Sequence, residues 1–94
     1  MKDRKRPRSR LEVIYDILIH CREPVAPSRM LMAIGLNHTP GRNYIIELCE
    51  KGLLEKIPTP VWSHAKFFVV ITDKGKELLG VLEKAYSLLG WRCE

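Results

Sequence analysis

The chain has 94 residues, 46% of them hydrophobic, and a formal net charge of +5. That is one small domain with enough apolar material for a core, too short for a second catalytic domain or a large substrate cleft. The same composition excludes a chain disordered throughout.

The charge is unevenly placed. Lys2, Arg4, Lys5, Arg6, Arg8 and Arg10 stand against Asp3 alone in the first ten residues and carry the whole net charge; the rest of the chain balances. Residues 1–8 read as a basic flexible arm on a nearly neutral domain at 9–94. Such an arm points to a polyanionic partner, either nucleic acid or an anionic membrane surface. No uninterrupted apolar run is longer than Phe67 to Ile71, which is far short of a membrane span. The basic N-terminus lacks the apolar stretch of a secretory signal. On both counts a cytoplasmic location is expected.

In chain order, the first helix starts after Ser9. Ser9 and Glu12 have the spacing of a capping box. Leu11, Ile14, Tyr15, Leu18 and Ile19 then recur at steps of three and four, and Val13 and Ile17 widen the stripe. The helix runs to Cys21, and Pro24 forbids its continuation. A short second helix spans Ser28 to Ile34, with Met30, Leu31, Ala33 and Ile34 as its buried side and Gly35 as its stop. After the turn at Leu36 and Asn37, a third helix begins. Either Asn37 caps it, or Thr39 does with Pro40 at the first helical position. It continues through Ile45, Leu48 and Cys49 to Lys51, and Gly52 ends it.

Two strands follow, Leu53 to Ile57 and the β-branched, aromatic Lys66 to Ile71. Pro58 and Pro60 make the segment between them a loop. Thr72 caps a last helix from Asp73 to Leu89, which Gly75 and Gly80 weaken slightly and Gly90 ends.

Catalytic chemistry finds no support. His20, His38 and His64 are scattered, no carboxylates are paired, and no glycine-rich phosphate loop is present. Cys21, Cys49 and Cys93 form no C-x-x-C pair, so no metal or other cofactor is expected. Cys21 and Cys49 read as small buried hydrophobes. Cys93 reads as an accessible free thiol, with an intersubunit disulfide as the alternative.

The order helix, helix, helix, strand, strand, helix, with a glycine-containing turn between the second and third helices, is that of a helix-turn-helix followed by a hairpin. Four segments carry a closer likeness: Arg10-Leu11-Glu12-Val13-Ile14; Leu36-Asn37 leading to Tyr44-Ile45; Glu50-Lys51-Gly52-Leu53-Leu54-Glu55; and Val70-Ile71-Thr72-Asp73-Lys74-Gly75-Lys76-Glu77-Leu78-Leu79. In these the chain resembles the small winged-helix DNA-binding proteins of archaea and their viruses, single-domain transcription regulators. Pro40-Gly41 depart from the usual pattern, which has a helix-forming or apolar residue there. The resemblance implies an α+β, mainly α, winged helix-turn-helix fold, with three helices, a two-stranded wing and a long C-terminal helix.

It also implies a third helix that enters the major groove by its N-terminal part. Facing away from Ile45, Leu48 and Cys49 are Thr39, Arg42, Asn43 and Ile46. Thr39, Arg42 and Asn43 are the expected base readers, because Arg bonds guanine and Asn adenine in bidentate fashion. The alternative is an ordinary solvated helix face, and the helix as a whole is neutral. Expected at phosphate or in the wing are Ser28, Arg29, His38, His64 and Lys66. Trp62 belongs either to the wing's contacts or to the domain surface. Lys2, Arg4, Lys5, Arg6 and Arg8 are expected to bind along the duplex backbone or minor groove.

The last helix carries more apolar surface than one small domain needs. Leu78, Leu82, Ala85, Tyr86 and Leu89 are expected to pair with the same helix of a second copy, making residues 72–91 a dimerisation helix. The alternative is that this helix only closes a monomeric core. The expected function is sequence-specific binding of double-stranded DNA by a homodimeric transcription regulator, cytoplasmic or in the host cytoplasm if viral. No small-molecule effector is evident. A winged-helix module that binds protein through Trp62 and the last helix is the alternative.

Overall fold

A computed structural model describes residues 9–90. Helix α1 is Arg10–His20, α2 Pro27–Ile34 and α3 His38–Glu50. Strands β1 (Leu54–Ile57) and β2 (Phe68–Ile71) and helix α4 (Asp73–Leu89) complete the order that the sequence predicts. The basic arm, and Trp91 to Glu94 with Cys93, lie outside the described residues.

The local signals act as their chemistry requires. At the start of α1 the Glu12 amide donates to the Ser9 hydroxyl (3.1 Å) and the Ser9 amide to the Glu12 carboxylate (2.9 Å), which closes the capping box. Asn37 is the residue before α3. It works through its backbone carbonyl, which accepts from the Gly41 amide at 2.9 Å, and its side chain makes no capping bond. Gly35, Gly52 and Gly90 all turn the chain with positive φ at helix ends.

Strands β1 and β2 pair antiparallel, with Leu54 opposite Ile71 and Lys56 opposite Val69. Paired residues share a sheet face, so Leu54, Lys56, Val69 and Ile71 lie on the inner face, and Glu55, Ile57, Phe68 and Val70 on the outer. Both strands are shorter than the sequence suggests. The free edge of β2 also takes a partner that the sequence reading treats as connection. Val25 exchanges both backbone hydrogen bonds with Val69, at 2.9 and 3.0 Å. Pro24 ends the helix before it, and the extended residue that follows completes the sheet.

The core is one cluster of Val13, Ile17, Leu18, Met30, Leu31, Ile45, Leu48, Val69, Leu82 and their neighbours. Leu11 and Ala33, expected among the apolar contacts, are exposed, because each lies at the rim of its helix stripe. A larger correction concerns α4. Leu82 and Tyr86, predicted to meet a second copy, are 5% and 6% exposed and belong to this domain's own core. The reason is the packing of α4 on α1, where the rings of Tyr86 and Tyr15 meet edge to face with centroids 5.0 Å apart. The stripe Gly75, Leu79, Leu82, Tyr86 therefore points inward.

Candidate nucleic-acid interface

Three elements meet around an open groove of about 370 Å³. The start of α2 contributes Pro27 and Ser28; α3 contributes His38, Arg42, Ile45 and Ile46. The hairpin contributes Lys56 on one side and Ala65, Lys66 and Phe67 on the other. No acidic residue lines it. Ile45, Ile46, Ala65 and Phe67 make up its apolar part, and Arg42, Lys56 and Lys66 its cationic part.

Beside the groove, α2 and α3 approach closely. Gly41 is buried where they meet, and a Cβ there would lie 2.5 Å from a terminal methyl of Leu31. Leu31 is itself 2% exposed and has little room to yield. The departure at Gly41 thus has a structural cause: a side chain there would press on the buried Leu31 where α3 lies against α2.

Of the predicted residues, Ser28, His38, Arg42 and Lys66 come together in the groove. Thr39 and Asn43 are exposed on the outward face of α3, beside the groove rather than in it. Arg29 is exposed on α2 and His64 on the loop between the strands, and neither lines the groove. Lys56 is the residue that sequence reasoning missed. Its Nζ lies 4.8 Å from the centre of the Phe67 ring, which holds the cation over the groove. The period-2 alternation from Leu54 was the available signal, because it places position 56 on the same face just beyond the core.

The acidic content of α3 is partly withdrawn from this surface. Arg10 Nη2 bonds Glu47 Oε2 at 2.6 Å, and the Arg10 guanidinium lies 5.4 Å from the Tyr44 ring centre. Lys51 adds a longer contact to Glu47, at 3.9 Å. Arg42 and Lys66 form no ion pair with any described residue. The sum over α3, neutral once Lys51 is counted with it, therefore hides a division: Glu47 faces α1, and Arg42 faces the groove.

The loop joining the strands is ordered by local bonds. The Ser63 amide donates to the Pro60 carbonyl (3.0 Å) and the Ala65 amide to the Ser63 hydroxyl (3.2 Å). Trp62 meets Phe68 edge to face at 6.1 Å between centroids, yet stays 75% exposed. Trp62 thus packs against the outer sheet face and leaves most of its ring to solvent.

Comparison with known proteins agrees with this arrangement. Residues 7–89 match the family described as winged helix-turn-helix. The fold is similar to that of Sso10a-2, a DNA-binding protein from Sulfolobus solfataricus. That match has a TM-score of 0.74 at 24% identity and covers 88% of this chain and 83% of that one. No curated protein matches the chain. With α2, the Gly35 turn, α3 and the β1–β2 hairpin in this order, the chain belongs to the winged helix-turn-helix family.

Proposed function

We propose that this protein binds double-stranded DNA with sequence preference, as a homodimeric transcription regulator of the archaeal type. The observation that carries the reading is the groove between α3 and the hairpin, rimmed by Arg42, Lys56 and Lys66 with no acid in its lining. The similar fold of Sso10a-2, a DNA-binding protein, supports it. Arg42, Asn43 and Thr39 read base edges; Ser28, Arg29, His38, His64, Lys56 and Lys66 hold the backbone. The basic residues of the arm add sequence-independent attraction. The dimer forms through the stripe of α4 left outside the core, Val81, Ala85 and Leu88, which follows the three-and-four spacing of paired helices.

A titration of random duplex DNA across a salt series tests the reading. Binding should weaken steeply as salt rises, and Lys66→Ala should lower the log–log slope by about one. Removing residues 2–8 should lower it further. Absence of duplex binding at low salt would refute the reading. It would favour the protein-binding alternative, for which Val61 and Trp62, 102% and 75% exposed, offer an apolar contact.

A further inference from the structure

Among the groove residues, one side chain does not suit phosphate. Ile46 lines the groove and is 45% exposed, although it is a large β-branched hydrocarbon. It lies four residues after Arg42 and three after Asn43, so on the helix surface it falls between the two polar candidates for base contact. Its neighbours across the groove, Lys56 and Lys66, are cationic. A protein partner that covered Ile46 would have to seat itself between these charges. A duplex brings phosphates to the cations and an apolar group to the isoleucine. In the major groove that apolar group is the C5 methyl of thymine, the one hydrocarbon that a base edge presents there.

We propose that Ile46 is a specificity-determining residue that contacts a thymine methyl, next to the bases read by Arg42 and Asn43. The preferred site therefore contains a thymine beside the position that Arg42 contacts. This rests on the DNA reading above and adds to it the base class and the atom recognised. No hydrogen bond is involved, so the contact contributes through burial of the methyl group and through exclusion of cytosine, whose edge is polar and lacks that methyl.

The test is the deletion of that methyl from the DNA. A preferred duplex is selected from a random library with the full chain, and each thymine is then replaced in turn by uracil, which removes only the methyl. At one thymine per half-site, wild type should lose about fourfold in affinity, the worth of one buried methyl group. Ile46→Ala should bind the thymine and uracil duplexes equally, and Ile46→Val should keep part of the difference. Circular dichroism of both variants should match wild type, since the side chain is half exposed. If wild type binds a selected duplex but is insensitive to uracil at every position, the Ile46 assignment is wrong while DNA binding stands. If Ile46→Ala keeps the full uracil penalty, another residue reads the methyl. If no duplex is bound at low salt, the assignment falls together with the DNA reading.

Discussion

Cys21 is fully buried at the end of α1, and its backbone carbonyl accepts from the Ile71 amide at 2.8 Å. Burial, with a further contribution from the nearby Cys49, pushes its thiol up to about 12, and burial also raises Cys49. A thiol in the unfolded chain titrates near its ordinary 9.0. Between those limits the unfolded state releases a proton that the folded state retains. This contribution is therefore full below pH 9 and is lost as the pH rises toward 12. Urea midpoints measured from pH 8 upward should fall more steeply for wild type than for Cys21→Ala. Parallel curves would show that the thiol does not titrate differently on folding. The reading as small buried hydrophobes is met by Cys21, whereas Cys49 is only half-buried.

At the scale of elements, the join of hairpin and helix rests on Thr72. Its hydroxyl donates to the Gly52 carbonyl (2.6 Å) and accepts from the Gly75 amide (3.0 Å), while its own amide donates to the Leu53 carbonyl (3.1 Å). One residue thus ties the end of α3, the start of β1 and the first turn of α4. The two glycines of α4, alike in sequence, differ here. A Cβ on Gly75 would collide with the Leu53 carbonyl oxygen, a backbone atom that cannot move cheaply, whereas nothing lies within 4 Å of one on Gly80. Gly75→Ala should destabilise by about 1–3 kcal/mol through overpacking. Gly80→Ala should stabilise by about 0.5–1 kcal/mol, because it only removes backbone freedom in a helix. Chemical denaturation of both variants checks the opposite signs. Equal effects would contradict the close approach of α4 to β1. Propensity alone assigns both glycines the same small cost, and the neighbouring chain separates them.

For the whole molecule, α4 carries an apolar stripe that the domain itself does not cover. Val81 and Leu88 are 60% and 78% exposed, on the opposite stripe from Leu79, Leu82 and Tyr86. An isolated domain gains nothing from exposing them, and a two-fold dimer would bury both on each copy. Sedimentation at micromolar concentration should show a dimer, and Leu88→Glu with Val81→Glu should return it to monomer without loss of helicity. A wild-type monomer throughout would remove the dimer from the proposal. Salt-dependent binding through the groove would be unaffected by that result.

The sequence by itself determined the order of elements and most of their ends, because caps, glycines and prolines act on the nearest turn of chain. Ser9 with Glu12, Gly35, Gly52, Thr72 and Gly90 each set a boundary within a few residues of themselves. It also placed Ser28, His38, Arg42 and Lys66 among the candidates that the fold gathers into one groove. Tertiary structure alone decided what depends on neighbours distant in sequence. Pairing with β2 turned Val25 from connection into sheet, and the register put Lys56 over the groove. The α1 contact drew Leu82 and Tyr86 inward and left Val81 and Leu88 out. Periodicity shows that a helix has two apolar stripes, but only the packing partner selects which of them is the core.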